Sequence, residues 1–138
     1  MREILFKAKR KNWRELPKEE WWVEGYVSPC IIVGKWYICR IEENLSTTQI
    51  EIDPETLCQY TGLTNKNGKK IWENDILCGH LDEEYPENIT YEKVFWDVSG
   101  FCTKEECSVD IEPLDEWDEQ YFEVCGNVFD NPELLEVE

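Results

Sequence analysis

The sequence contains no run of about 18 apolar residues, the length that a membrane-spanning helix requires. Its first residues, MREILFKAKRKNW, are charged where a secretory signal peptide would be apolar. Seven cysteines are spread singly along the chain rather than in the regular framework of a secreted disulfide protein. We therefore expect a cytoplasmic protein without a membrane partner, whose cysteines are reduced thiols.

Histidine occurs only once, and this limits the catalytic and metal sites that the chain can form. A Ser or Cys nucleophile needs a neighbouring base, and no recognised nucleophile motif surrounds the single histidine. A structural zinc site needs four Cys or His ligands, and no spacing here matches a common zinc knuckle. We predict no enzyme, no catalytic residue, no metal and no cofactor. The only candidate metal ligands are Cys78, His80, Cys102 and Cys107.

Basic residues are few, 14 against 31 acidic ones, and they are unevenly placed. Residues 1–18 hold seven basic and two acidic side chains, whereas residues 19–138 hold seven basic and 29 acidic ones. The excess of acidic residues in 19–138 repels phosphate backbones, so we expect nucleic acid to be an unfavourable partner for this part of the chain. The basic N-terminal segment from Lys7 to Arg14, with Trp13 for base stacking, leaves nucleic-acid binding open as an alternative.

Aromatic residues are abundant, at 13% of the chain, and apolar residues reach 41%, enough to build a core for one domain. Seven of the aromatics are tryptophans, which serve either in the core or at a binding surface. Neighbouring residues of a strand point to opposite faces, so one member of the pair Trp21-Trp22 is expected to be left partly exposed, beside the basic segment. The candidate interaction surface is Trp13, Trp21, Trp22, Arg10 and Arg14.

Short runs of aromatic and β-branched residues between turn signals predict a mainly β, antiparallel fold. The first half should contain a meander from Trp21 to Ile41, a strand at Ile50–Ile52, and a short helix begun by Asp53-Pro54 that ends before Gly62. Asn67-Gly68 supplies the positive φ angles of a tight hairpin turn. Further strands are expected over residues 71–78, 89–98, 100–103 and 121–129, a loop or helical turn over 112–117, and a helical turn from Asp130.

One pair of carboxylates, Glu73 and Asp75, lies inside the strand-like segment 71–78. Paired carboxylates can serve hydrolysis or bind a divalent cation. A carboxylate buried in a strand also needs a hydrogen-bond donor, and the preceding turn offers one. We interpret the pair as structural.

Four blocks of sequence, taken together, resemble the YopX family of phage and prophage proteins. They are REILFKA at 2–8, WVEGY at 22–26, IDPET at 52–56 running through QYTGLT to NGKKI at 67–71, and GNVFDNPEL at 126–134. Two departures are Cys58, where relatives often have Gly, and Asn74, where the family tends to read Glu-Gly-Asp-Ile. Asn74 tolerates the left-handed conformation that a glycine would supply.

The resemblance implies one domain over residues 1–138, with an N-terminal β-meander over 1–52 packed beside an SH3-like barrel and C-terminal turn over 53–138. It carries over no catalytic residue and no ligand. We expect a phage or prophage accessory protein in a bacterial host, without enzyme activity, that acts through protein binding or homo-oligomerisation. An alternative is an acidic mimic of nucleic acid that inhibits a host DNA-binding protein, and a second is nucleic-acid binding through the basic segment.

Overall fold

The computed structural model describes residues 5–30, 34–41, 43–79, 89–97, 100–105 and 111–135, and every strand pair given for them is antiparallel. The mainly β class is confirmed. The strands are β1 Phe6–Lys9, β2 Trp22–Cys30, β3 Lys35–Ile41, β4 Thr47–Glu51, β5 Cys58–Thr64, β6 Lys70–Trp72, β7 Asp75–Gly79, β8 Thr90–Asp97, β9 Gly100–Glu105, β10 Glu112–Pro113 and β11 Glu123–Asn127, with the helix α1 at Glu116–Tyr121. Single 3-10 turns cover Trp13–Glu15, Lys18–Glu20, Pro54–Thr56 and Pro132–Leu135.

The chain divides into two compact units, unit 1 (Met1–Tyr60) and unit 2 (Thr61–Glu138). The two differ sharply in charge. Unit 1 has nine basic and ten acidic residues, whereas unit 2 has five basic and 21 acidic ones, a net charge of −16. A single functional domain over 1–138, with parts 1–52 and 53–138, stays a prediction. In the described part of the chain, no helix has the length and apolar character needed to cross a membrane.

The sheet of unit 1 has the strand order β4-β3-β2-β1 and continues with the start of β5. The predicted meander is confirmed as β2 and β3, and β4 follows it in the sheet. Because successive side chains of a strand point to opposite faces, Ala8, Val23 and Ile38 lie on one face of the sheet, where they form a core with Ile52. The opposite face of β1 therefore carries Lys7 and Lys9, and this face builds the site described below.

The helix predicted after Asp53 is only one 3-10 turn long. Its cap is as expected, because the Asp53 carboxylate accepts a hydrogen bond from the Glu55 N–H at 3.1 Å and Pro54 is the first residue of the turn. The helical interpretation of the residues that follow is wrong. Cys58–Thr64 is strand β5, in which the buried side chains Cys58 and Tyr60 alternate with the half-buried Gln59, and the Tyr60 N–H donates to the Leu5 carbonyl. Pairing with β1 outweighs the local helix-start signal.

Unit 2 contains a sheet with the order β10-β9-β8-β7-β11, packed around a core of Ile71, Leu77, Val94 and Phe122. No closed barrel forms among the residues that the structure describes, which corrects the SH3-like barrel expected over 53–138. The two ends of the sheet give the reason. β10 is only two residues long and ends in Pro113, which has no N–H to donate, and β11 forms the other edge.

The hairpin between β5 and β6 turns at Asn67-Gly68 as predicted, but of these two residues only Gly68 has a positive φ. Gly68 has a φ of +80°, and the Asn65 side-chain oxygen accepts hydrogen bonds from the N–H groups of Asn67 and Lys69, each at 2.9 Å. The strand predicted over 71–78 is divided into β6 and β7 by a turn at which Asn74 is left-handed, with a φ of 71°. The buried Asp75 carboxylate accepts the Trp72 N–H at 2.8 Å, the structural role expected for it.

Near the C-terminus, the region predicted as a loop or helical turn, 112–117, begins with strand β10 and ends in the first two residues of α1, which extends through Tyr121. Strand β11 is therefore shorter than the strand predicted over 121–129, because Tyr121 is the last residue of α1 and Phe122 follows the helix. The Asp118 carboxylate accepts the Asp115 N–H at 3.1 Å and so fixes the start of α1. The final turn, Pro132–Leu135, is confirmed.

Candidate interaction surface

The connection between β1 and β2 runs from residue 10 to residue 21 and is held in one conformation by hydrogen bonds at both ends. The Arg10 N–H donates to the Trp21 carbonyl at 2.8 Å, and the Arg10 guanidinium donates to the Glu20 carbonyl. The Trp21 indole N–H donates to the Leu16 carbonyl at 2.8 Å. Two 3-10 turns fill the space between these anchors, so the segment presents its side chains in fixed positions.

Three tryptophans surround the side chain of Lys9. Lys9 in β1 lies directly opposite Trp22 in β2, so the two side chains share one face of the sheet. The Lys9 ammonium is 3.8 Å from the Trp13 ring centre, 4.4 Å from that of Trp21 and 5.6 Å from that of Trp22. Trp13 and Trp21 meet edge to face with ring centres 4.8 Å apart. We call Lys9 with these three residues the tryptophan cluster.

Further cations lie over the same rings. The Arg14 guanidinium carbon is 4.3 Å from the Trp13 ring centre, the Lys18 ammonium is 5.8 Å from that of Trp21, and the Lys7 ammonium is 4.7 Å from that of Trp22. Arg14 and Lys18 are exposed and the three indoles are half-buried, whereas Lys9 is 2% exposed. The cluster therefore has an interior cation and a cationic rim that solvent reaches.

The turn at Asp53 attaches the cluster to the sheet. The Trp13 indole N–H donates to the Asp53 carboxylate at 3.4 Å, and the Asp53 N–H donates to the Lys9 carbonyl at 2.9 Å. The Thr56 hydroxyl accepts the Lys9 N–H at 2.8 Å. The N–H and the carbonyl of Lys9 thus both have hydrogen-bond partners. Asp53 caps its own turn and also holds the Trp13 ring in position.

A groove beside the cluster has a volume of about 550 Å³. Two of its lining residues, Lys11 and Glu51, form an ion pair with 2.7 Å between the ammonium and the carboxylate. The hydrogen bond between them raises the pKa of Lys11 and lowers the pKa of Glu51, and each charge adds to the shift of the other. The groove is lined by Arg10, Lys11, Asn12, Glu15, Ile50 and Glu51.

All five residues predicted for the interaction surface lie in this connection or next to it, and the structure gathers Trp13, Trp21 and Trp22 around one point. Their role in binding stays a prediction. Sequence reasoning missed Lys9, the central residue, because the residue pattern was not used to predict a strand over Phe6–Lys9. The alternation of Phe6 and Ala8 with Lys7 and Lys9 was the signal available, since it predicts an apolar face and a cationic face.

Two of the four candidate metal ligands, Cys78 and Cys102, are among the described residues. His80 and Cys107 lie outside the described residues. Cys78 is in β7 and Cys102 in β9, and β8 separates those strands in the sheet. Among the described residues, no group of three or more His, Cys, Asp or Glu side chains is arranged to hold a metal ion.

A second cluster of ionisable groups lies in unit 2, where the half-buried Glu92 of β8 faces Glu105 of β9 across the ladder. Burial, together with the nearby charge of Asp118, raises the pKa of Glu92 to about 7. Burial also raises the pKa of Asp118 to about 6. The folded protein therefore favours the protonated forms of these two carboxyl groups.

This cluster predicts a stability that falls as the pH rises. Because the folded pKa values exceed the ordinary values of 4.5 and 3.8, the stabilisation is complete below about pH 4 and is lost as the pH rises through 6 to 7. Solvent screening of the half-buried Glu92 limits the expected loss between pH 5 and pH 8 to about 1 kcal/mol. Urea unfolding of the parent protein at the two pH values measures it.

The matched variants for this prediction are Glu92→Gln and Glu116→Gln, the latter at an exposed position of α1. Glu92→Gln should remove most of the pH dependence and be more stable than the parent at pH 8, because it cannot ionise. Glu116→Gln should leave the pH dependence as it is. An equal pH dependence in the parent and in Glu92→Gln would show that the carboxyl at position 92 is not the cause.

A family model described as YopX protein matches residues 15–136. The chain belongs to the YopX family. The match confirms the resemblance and contains three of the four sequence blocks, whereas the block at 2–8 lies before it. Of the β1–β2 connection it includes residues 15–21, and Lys9, Trp13 and Arg14 lie outside it. None of the curated proteins compared with the chain matches it.

Two solved structures are similar to this member of the YopX family. The crystal structure of protein EF1440 from Enterococcus faecalis is 22% identical with a TM-score of 0.58, and the match covers 99% of this chain and 100% of that one. The X-ray structure of protein yopX from Bacillus subtilis is 19% identical with a TM-score of 0.57, covering 100% and 99%. At these identities the likeness establishes the fold alone.

Proposed function

We propose that this YopX-family chain is a non-enzymatic phage or prophage accessory protein that acts by binding another protein through the tryptophan cluster and its cationic rim. The observation that carries the proposal is the convergence of three half-buried indole rings with the exposed Arg14 and Lys18 on one fixed segment. Tryptophan and arginine are the residue types most enriched at the energetic centres of protein interfaces. Their fixed positions reduce the entropy lost on binding.

The chemistry of the cluster favours binding over catalysis. Indole rings and a guanidinium neither take up nor release protons near neutral pH. General acid–base chemistry needs a group whose pKa is near the working pH, and nucleophilic catalysis needs an activated nucleophile. The charged side chains that approach Trp13, namely Lys9, Arg14 and Asp53, contact it through cation–π interactions and a hydrogen bond. These contacts fix a surface.

The same contacts favour a protein partner over nucleic acid. Base stacking needs an open ring face, and each of the three rings has at least one cation of this chain within 6 Å of its centre. The chain as a whole, with its net charge of −17, also repels a nucleic acid. A protein can instead contact the indole edges and pair its carboxylates with the rim.

Two charge-reversal variants test the proposal. Arg14→Glu changes the rim of the cluster, and Arg40→Glu makes the same change of charge at an exposed position of β3. In affinity capture from a bacterial host lysate, Arg14→Glu should retain at least tenfold less of the captured protein than the parent, because it loses the guanidinium and adds a repulsive carboxylate. Arg40→Glu should capture as the parent does. Equal capture by both variants would contradict the proposal.

Self-association is the form of this function in which the partner is a second copy of the chain. Light scattering of the purified protein over a range of concentrations measures it directly. If the cluster binds a second copy, the parent and Arg40→Glu should form dimers or larger particles, and Arg14→Glu should dissociate at the same concentration. If every variant is monomeric, the partner is a different protein.

The charge of unit 2 favours a second candidate function, mimicry of nucleic acid toward a basic host protein. Unit 2 holds 21 acidic side chains against five basic ones. Binding of this kind relies on charge and therefore weakens steeply with salt. If capture is lost at high salt and is unchanged in Arg14→Glu, the result favours mimicry of nucleic acid. If capture depends on Arg14 and persists at high salt, the result favours binding through the tryptophan cluster.

A further inference from the structure

Strand β4 is an edge strand of the sheet in unit 1, and among the described strands it pairs with β3 alone. Edge strands expose main-chain hydrogen-bonding groups, and natural proteins protect such edges with lysine, proline or a β-bulge. The sequence of β4, TTQIE, contains neither lysine nor proline, and its register with β3 shows no shift. The edge of β4 therefore lacks the features that prevent a further strand from pairing with it.

Pairing with β3 uses the main-chain groups of only every second residue of β4. The Ile52 N–H donates to the Trp36 carbonyl at 3.0 Å, which makes these two residues a hydrogen-bonded pair. Hydrogen-bonded and non-hydrogen-bonded pairs alternate along an antiparallel ladder. It follows from the register that Thr47, Gln49 and Glu51 direct their N–H and carbonyl groups away from β3.

The segment that follows β1 covers only the end of this edge. The Glu51 carbonyl accepts the Lys11 N–H at 3.1 Å, as expected for a group that points away from β3. The Trp13 N–H then donates to the Arg10 carbonyl at 3.0 Å, so the chain turns directly after this contact. Among the described residues, no strand continues the line of β1 along the rest of β4.

The groove beside the tryptophan cluster adjoins this edge. Its lining includes Ile50 and Glu51 from β4 and, from the β1–β2 connection, Lys11. Ile50 and Glu51 are neighbours in the strand and therefore point to opposite faces of the sheet. The Lys11 ammonium pairs with the Glu51 carboxylate and so lies on the face of Glu51. A strand placed in the groove would meet an isoleucine on one face and an ammonium on the other.

The charge around the groove favours an acidic occupant. Residues 7–18, which contribute the wall opposite β4, hold six basic side chains and one acidic one. The Lys11 side chain is mostly exposed, so a second carboxylate can approach it beside that of Glu51. Complementary charge of this kind guides a partner to its site and fixes its register.

We propose that the edge of β4 binds an extended acidic segment of a partner protein, which lies in the groove and adds a strand to the sheet at Thr47 and Gln49. In strand addition, main-chain hydrogen bonds supply the affinity and the pockets for alternate side chains supply the specificity. The incoming segment should alternate apolar residues, which contact Ile50, with acidic residues, which approach Lys11. The site shares no residue with the tryptophan cluster, so it stands whether or not that cluster binds a protein.

The first test selects binders from a displayed library of random dodecapeptides on the purified full chain. The enriched peptides should alternate apolar and acidic residues. One of them is then synthesised with a single N-methyl group on each backbone amide in turn. Because successive N–H groups of a strand point to opposite edges, methylation at every second central position should weaken binding at least about tenfold, and methylation between them by less than about threefold.

Two variants at one position of β4 complete the test. Gln49→Pro removes the outward N–H, whereas Gln49→Ala removes the exposed side chain and keeps that N–H. An edge strand tolerates proline where its N–H faces away from the neighbouring strand, so the pairing with β3 should persist. Gln49→Pro should bind the selected peptide at least about tenfold more weakly than the parent, and Gln49→Ala should bind as the parent does. Urea unfolding checks that both are folded, and Thr47→Pro replaces Gln49→Pro if the latter is not.

Four results would overturn the proposal. They are a library that yields no binder, enriched peptides without carboxylates, N-methylation effects that do not alternate along the peptide, and a folded Gln49→Pro that binds as tightly as the parent. Light scattering covers the remaining occupant of the edge. A parent oligomer that dissociates in Gln49→Pro would show that a second copy of the chain, rather than a partner segment, covers β4.

Discussion

Replacing Lys9 by methionine is expected to lower the free energy of unfolding by about 2 kcal/mol, and replacing it by alanine by about 4 kcal/mol. Methionine keeps a long apolar side chain and removes only the charge that contacts three indole rings within 5.6 Å. Alanine also removes the side-chain stem, which is almost completely buried. The difference between the variants therefore separates packing from the cation–π contribution.

Urea unfolding followed by tryptophan fluorescence measures both variants, because the affected rings report on their own surroundings. Lys35→Met is the control, since Lys35 is exposed and its 3.9 Å ion pair with Glu51 lies at the surface. This control should change stability by less than about 1 kcal/mol. If Lys9→Met is as stable as the parent, the cation–π contacts of Lys9 add nothing to the free energy of unfolding. The cluster would then be stabilised by apolar packing alone.

Gly25→Ala should destabilise the protein by about 3 kcal/mol or more, because a Cβ atom has no room at this position. It would lie 2.4 Å from the Cys39 carbonyl oxygen and 2.8 Å from Cγ2 of Ile38. The oxygen belongs to the backbone of β3, which is held by its pairing with β2 and β4. Relief would require the two strands to separate at the point where β2 passes from β1 to β3.

Gly34→Ala separates this steric effect from the general effect of replacing glycine. Gly34 has a φ of +65°, and a Cβ atom at this position would meet nothing within 4 Å, so its replacement should cost only about 1 kcal/mol of backbone strain. Chemical denaturation of both variants gives the comparison. Equal losses at positions 25 and 34 would mean that β2 and β3 adjust freely, contrary to the close approach in the structure.

Local signals in the sequence predicted the hairpins and caps correctly. Asn67-Gly68 gave the turn between β5 and β6, and Asp53-Pro54 gave a capped turn, because a few neighbouring residues determine such features. The family resemblance, which the family model matches, was visible for the same reason, as blocks of short-range sequence. Features of this kind need no knowledge of which strands pair.

Features that depend on pairing were missed. Residues 58–61 were assigned to a helix because the sequence does not show that β1 lies beside them. No strand was predicted from the residues of β1, because its charged residues alternate with only two apolar ones. The contact between Lys9 and Trp22 follows from the register of β1 with β2, which connects positions 13 residues apart. The open sheet of unit 2 likewise depends on which strands form its edges, β10 and β11, and the sequence pattern does not show which strands pair.

The most direct test of the interaction surface places a photoactivatable cross-linker, p-benzoylphenylalanine, at position 18 and separately at position 40, in protein produced inside a bacterial host. Lys18 lies over the Trp21 ring, whereas Arg40 is an exposed residue of β3. We predict one discrete cross-linked protein, either a host protein or a second copy of this chain, at position 18 and none at position 40. No product at position 18, or the same products at both positions, would contradict the assignment of the tryptophan cluster as a binding surface.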